Sequence, residues 1–129
     1  MRLLLDTNIW LFMHAAPERL SPEGRQRLEA PQTECVFSSV VAWEIAIKVG
    51  IGKLTLPEPP DRYVRDRLHS MPMAILPVSV AHALRVAELP GHHNDPFDRL
   101  LVAQAQCEGL HLMSADQQLS AYDIQLQGA

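Results

Sequence analysis

Short apolar runs alternate with segments of helical period along this chain, and that alternation constrains its fold more than any other feature. "RLLLD" runs straight into a carboxylate at Asp6, and helical patterns follow at Ile9–His14 and Pro22–Ala30. "ECVFSS" reads as a strand, and "VVAWEIAIKVG" as a helix stopped near Gly50 and Gly52. After "LPEPPD" come a helix over Arg62–His69, a strand at "MAILPV" and a helix over Ala81–Glu88. The strongest helix is Pro96–Glu108, where Phe97, Leu101 and Ala105 recur every four residues with Leu100, Ala103 and Cys107 beside them. Gly109 closes it, "LHLMS" is the next strand, and "YDIQL" is a candidate last one. The strands at "LLL" and "AIL" are apolar without alternation, which predicts a parallel sheet covered by helices on both faces. In such a sheet ligands bind outside the carboxyl ends of the strands. Asp6 closes the first strand and Asp116 stands two residues past "LHLMS", so both become candidates.

The chain has 129 residues, which predicts a single domain over 1–129 with a core that needs no staples. A net charge of −4 excludes the basic signature of a nucleic-acid coat or a membrane-surface protein. It does not exclude a nucleic-acid substrate, because divalent cations held by carboxylates reverse the local charge. Cys35 and Cys107 each lie in an apolar run and form no CxxC pair, so both are read as reduced core residues. Leu3–Leu5 is too short for a signal peptide, and no apolar segment nears the ~18 residues of a membrane span. The expected setting is the cytoplasm, with no membrane partner.

The acidic residues carry the chemistry. Asp6 precedes Thr7 and Asn8, all three of them good helix caps. With Thr7 and Asn8 at hand to cap the helix from Ile9, Asp6 is left without a necessary structural task. Glu44 lies in mid-helix among Val40, Val41, Ala42, Trp43, Ile45, Ala46 and Ile47. A helix apolar nearly all round is a buried helix, and a buried lone carboxylate is costly unless paired or neutralised. A capping box needs Ser or Thr three residues upstream, where this chain has Val41. An (i, i+4) pair with Lys48 suits a surface glutamate better than this one.

Asp95-Pro96-Phe97-Asp98 makes a good helix start, with Asp95 as cap, Pro96 at the first helical position and Asp98 in the first turn. Capping accounts well for Asp95. For Asp98 it is adequate, and a metal-ligand role fits too. Asp116 either caps "QQLSAY" or belongs to a site, and the sequence leaves both open. His92 and His93 have no Cys or second His cluster at zinc-ligand spacing, since His14, His69, His82 and His111 are scattered. They are read as loop residues at a site mouth or on the surface. Several carboxylates near strand ends, with few thiol or imidazole partners, match what Mg²⁺ or Mn²⁺ takes. Such ions support in-line displacement at phosphorus. No Ser/His/Asp elbow, Walker loop or GxGxxG competes.

"LLLDTN", "SSVVAWEIAIKVGIGKLTL", "LPGHHNDPFDRLLVAQA" and "LMSAD" together resemble the PIN-domain family, and within it the VapC-type toxins of bacterial toxin–antitoxin pairs. The resemblance runs nearly end to end, and "HHNDPFDRLLVAQA" and "WEIAIKVGIGKL" are its most specific parts. It implies a three-layer α/β/α domain with a central, mainly parallel sheet and a metal-dependent ribonuclease site. The family's acidic positions fall on Asp6, Glu44, Asp98 and Asp116, with Thr7 after the first and Ser114 as the hydroxyl before the last. Asp95 belongs to the branch motif and either adds a ligand or only caps the helix. The resemblance further implies a homodimer and a cognate antitoxin whose tail enters the acidic groove.

The resulting expectation is an endoribonuclease in which Asp6, Glu44 and Asp98 hold Mg²⁺ or Mn²⁺. Asp116 completes the shell or orients the attacking water, and Thr7 and Ser114 support ligands. Lys48, Lys53 and Arg99 are candidate contacts to RNA phosphates, with solvated surface as the alternative. A phosphate-binding receiver domain would need an early acidic pair and a late Lys, whereas this chain has a single early Asp and no Lys after Lys53. A haloacid-dehalogenase-like phosphatase would need Asp-x-Asp where Asp6-Thr7-Asn8 stands. A catalytically silent interaction domain of similar fold is the remaining alternative.

Overall fold

The computed structural model describes residues 1–129. Its strands are β1 (Arg2–Leu5), β2 (Glu34–Ser38), β3 (Ala74–Leu76), β4 (His111–Ser114) and β5 (Gln125–Gly128). Its helices are α1 (Thr7–Ala15), α2 (Pro22–Glu29), α3 (Ser39–Gly50), α4 (Pro60–Ser70), α5 (Val80–Arg85) and α6 (Pro96–Glu108). Single 3-10 turns follow α1, α5 and β4. The five strands form one sheet in the order β3-β2-β1-β4-β5, every pairing parallel. β1 is central, with Leu3 opposite Cys35 on one side and His111 on the other. Its three leucines are fully buried, as a strand with helices over both faces requires.

The core joins Leu3, Leu4, Leu5, Val36, Leu112 and Met113 of the sheet to Ile9, Trp10, Val41, Ile45 and Leu101 of the helices. Trp10 stands edge-on to Phe37 at 5.0 Å and to Tyr63 at 6.2 Å, which ties α1 to β2 and α4. Helix starts are set by local chemistry. Ser21, Ser38, Ser79 and Asp95 each accept a backbone N–H of the helix that follows, and Pro22, Pro60 and Pro96 open α2, α4 and α6. Gly109 ends α6 in the left-handed region at φ 64°, which an unbranched backbone without Cβ adopts at no cost.

Four readings of the sequence are corrected. "AIL" is an edge strand, not one covered on both faces: β3 pairs only with β2, and Ile75 is 53% exposed. α3 is two-faced, burying Val40, Val41, Glu44 and Ile45 while Trp43 and Ile47 face outward. Cys107 is exposed on the last turn of α6 and Cys35 is only half-buried, so neither is a core thiol. The helix read over Ala81–Glu88 tightens after Arg85 into a 3-10 turn over Val86–Glu88. No helix is long and apolar enough to cross a membrane.

Candidate active site

Strand order reverses at β1, so the carboxyl ends of β1 and β4 flank the crevice where an open α/β sheet binds ligands. The Asp6 amide donates to Met113 O at 3.1 Å, which fixes the end of β1 against β4. Asp6 itself is the cap of α1, its Oδ1 accepting the Ile9 amide at 2.9 Å. That corrects the expectation that Thr7 and Asn8 would cap and leave Asp6 free. Burial raises its carboxyl to about 6, the Ser114 hydroxyl and the Ile9 amide pull the other way, and the charges of Glu44 and Asp116 add to the rise.

Thr7, the first residue of α1, turns its hydroxyl to Glu44 and donates to Oε1 at 2.5 Å. Lys48 pairs with the other carboxylate oxygen of Glu44 one turn along α3. The (i, i+4) pair that the sequence made unattractive is therefore present, and the glutamate is buried as well. Glu44 faces inward, and Lys48 reaches it from the pocket's edge. Burial pulls the Lys48 ammonium down, but the bond to Glu44 and the charges of Glu44, Asp95 and Asp98 outweigh it and hold it above its usual value.

Asp95 caps α6, its Oδ1 accepting the amides of Phe97 at 2.8 Å and Asp98 at 3.2 Å. This cap sets the first turn so that Asp98 lines the same cavity as Asp6, Glu44 and Asp116. The Asp98 carboxyl is pushed up to about 7 by burial and by the charges of Asp95, Asp6 and Glu44, against the pull of His93. Asp116 follows β4, where its amide donates to Ser114 Oγ at 3.0 Å and its Oδ1 caps the 3-10 turn through Gln118 N at 3.0 Å. The hydrogen bond from His93 holds its carboxyl below the usual value.

The cavity measures about 100 Å³, and Ala115 is the one apolar residue lining it. Asp6, Thr7, Glu44, Lys48, Asp95, Asp98, Ser114 and Asp116 all line it, so eight of the sequence candidates meet at one place. Two do not. Lys53 is exposed on the turn after α3. Arg99 donates to Pro90 O at 2.8 Å, Val86 O at 3.1 Å and the Tyr122 hydroxyl at 3.2 Å, so it pins the 86–90 segment and is no free phosphate contact. His93 is the residue whose place the sequence left undetermined. Its Nε2 lies 2.8 Å from Asp116 Oδ2 and 3.5 Å from Asp98 Oδ2. The adjacency of "HH" to "DPFD" was the only available sign. His92 is exposed and stands edge-on to Tyr122 at 5.1 Å.

Carboxylates from the end of β1, the middle of α3, the start of α6 and the loop after β4 thus crowd a small polar cavity, where burial first and their mutual repulsion second raise Asp6 and Asp98. Oxygen donors around a cavity of this size fit a hard divalent cation such as Mg²⁺ or Mn²⁺ better than zinc, which favours thiolate and imidazole.

The PIN domain family model matches residues 3–125. Ribonuclease VapC16 of Mycobacterium tuberculosis is 39% identical over 61 residues, a stretch that covers 47% of this chain and 42% of that protein. The match therefore spans less than half the length of that curated relative. A chain in the crystal structure of VapBC2 from Rickettsia felis bound to a promoter DNA fragment superposes with a TM-score of 0.75 at 19% identity, covering 100% of this chain and 99% of that one. FitAcB from Neisseria gonorrhoeae gives 0.65 at 21% identity, with 96% and 95% covered. VapBC-1 from nontypeable Haemophilus influenzae gives 0.64 at 19% identity, with 99% and 98% covered. At these identities the likeness is one of fold.

Proposed function

Because this chain belongs to the PIN-domain family, we propose that its acidic cavity is the centre of an Mg²⁺- or Mn²⁺-dependent endoribonuclease, the toxin of a toxin–antitoxin pair. The observation that carries the reading is the convergence of Asp6, Glu44, Asp98 and Asp116 on one cavity, with Asp6 near 6 and Asp98 near 7. Burial and neighbouring charge both disfavour the ionised forms of these carboxylates, and a bound cation would offset both costs. The name of the partial relative, a ribonuclease, supports RNA as substrate. The structures of like fold, described as VapBC and FitAB assemblies, support an antitoxin partner.

Asp6, Glu44 and Asp98 would hold the ion, directly or through water, and Asp116 would complete the shell or orient the attacking water. A bound divalent ion supplies charge neutralisation at the phosphoryl group and lowers the pKa of water. The chain's own residues do the rest. Thr7 and Lys48 occupy one oxygen each of Glu44 and so fix its plane. Ser114 steadies Asp6 and Asp116 across the β1–β4 crevice. Asp95 stays a cap that aims Asp98 and adds negative charge to the rim. Lys53 is left as the outer base for RNA phosphates, and Lys48 lies at the cavity itself. Exposed Trp43, Ile47 and Ile75 provide apolar surface of the kind a second copy or an antitoxin covers.

Induced expression followed by sequencing of cellular RNA ends tests the reading. New ends at defined positions are expected with the wild type and not with Asp6→Asn. The same ends from both proteins would overturn it.

A further inference from the structure

We infer that His93 is a positioning residue, which gives its one N–H to the carboxylate of Asp116 beside that of Asp98 and lends no lone pair to a cation. The backbone amide of Asp95 donates to His93 Nδ1 at 3.0 Å. A nitrogen that accepts an N–H carries no proton of its own, so in the neutral ring the proton sits on Nε2. Nε2 in turn faces Asp116 Oδ2 at 2.8 Å and Asp98 Oδ2 at 3.5 Å. Both ring nitrogens are thus spoken for by the fold.

His93, Asp98 and Asp116 bring one ligand-type atom each within 4.8 Å of one another, which on distance alone suggests a three-ligand cation site. The tautomer argues otherwise. Freeing the Nε2 lone pair would move the proton to Nδ1, where it would meet the Asp95 N–H donor to donor. That amide belongs to the residue that caps α6, so it cannot turn away without loosening the helix start. The backbone that carries the ring is also fixed. The His93 amide donates to the Tyr122 hydroxyl at 3.0 Å, and Arg99 donates to the same hydroxyl at 3.2 Å. The chain of contacts from Arg99 through Tyr122 to His93 gives work to two residues that the acidic site leaves unused.

The consequence lies at Asp116. Its Oδ1 is taken by the Gln118 amide and its Oδ2 by His93, so, as at Glu44, the chain holds both oxygens and dictates the direction of the carboxylate. Asp98 Oδ2 lies 3.5 Å from the same nitrogen, within its electrostatic reach and outside its hydrogen bond. The N–H offsets repulsion between two carboxylates that approach from α6 and β4 and sets their spacing before any ion arrives.

The effect on cation binding rests on the proposed nuclease reading, whereas the tautomer does not. Nitrogen-15 NMR of the metal-free protein should therefore find His93 protonated at Nε2, and protonation at Nδ1 alone would overturn the inference. Mn²⁺ titration calorimetry and pulsed EPR follow. A wild type that fails to bind Mn²⁺ counts against the nuclease reading and leaves the tautomer result standing. Given binding, His93→Ala should weaken it about 10–100-fold. His93→Gln, whose amide can donate from near the Nε2 position, should recover most of the loss, and Tyr122→Phe should show a smaller loss. The EPR spectrum should carry no coupling from a directly bound imidazole nitrogen. Such coupling in the wild type, or a Gln variant that folds yet binds as weakly as the Ala variant, would overturn the positioning role.

Discussion

Replacing Asp98 by Asn should make the metal-free protein more stable at pH 8. Its carboxyl is held at about 7 against the usual 3.8, burial being the largest cause and the charges of Asp95, Asp6 and Glu44 the next. A difference of that size corresponds to at most about 4 kcal/mol of penalty on the charged form. The side chain is 20% exposed, so solvent screening reduces the figure. Asp98 also sits in the first turn of α6, where a negative charge is worth about 0.3–1 kcal/mol that Asn forfeits. A net gain of about 1–2 kcal/mol remains, or a rise in Tm of roughly 3–8 °C for a domain of this size. The folded-state value lies above the unfolded one. The penalty is therefore full above about pH 7 and fades as pH falls through 7 toward 3.8. Scanning calorimetry in EDTA should show Asp98→Asn melting above the wild type at pH 8, with the gap closing toward pH 4. A variant less stable than the wild type at pH 8, or a gap of equal size at both pH values, would refute the electrostatic reasoning.

Asp6 shifts in the same direction as Asp98, so the metal-free wild type should itself be more stable at pH 5 than at pH 8. Mg²⁺ or Mn²⁺ should raise its Tm more at pH 8, where protons do not compete for the carboxylates, and thermal melts with and without EDTA check both. Thr7→Val removes the donor to Glu44 Oε1 and should cost about 1–3 kcal/mol in urea unfolding, because a buried oxygen loses its partner. Gly109→Ala meets nothing within 4 Å but must adopt φ 64°, so a loss of about 1 kcal/mol with unchanged Mn²⁺ binding is expected from melts and calorimetry.

Asp6 and Glu44 were legible because each stands where an apolar pattern has no use for a charge. Asp6 ends a buried strand and Glu44 interrupts an apolar helix, while Asp98 stands three residues after the cap of α6 and Asp116 two residues past the end of β4, where the family resemblance added what capping left open. Roles among neighbours were harder to read. Asp6, Thr7 and Asn8 can all cap, and the choice fell to Asp6 because pairing with β4 continues through its own amide to Met113. That left Thr7 inside the helix and free to reach Glu44. In the sequence a pair with Lys48 competes with burial as an account of Glu44, yet the two coexist because the half-exposed lysine reaches the buried carboxylate from the pocket's edge. His93 meets Asp116 across 23 residues, a contact made by loop closure that no local spacing records. β3 was misread for a similar reason. Only the strand order reveals that its far edge has no neighbour.

The central claim is that the four carboxylates form a cation-dependent centre for cutting RNA. Incubating the purified chain with a structured RNA tests it most directly, with Mn²⁺ present, with EDTA added, and with Asp6→Asn in place of the wild type. Cleavage by the wild type with Mn²⁺, its loss in EDTA, its return when excess Mn²⁺ is restored and its absence from Asp6→Asn are the expected results. Cleavage by Asp6→Asn at the wild-type rate, or by the wild type in EDTA, would contradict the account.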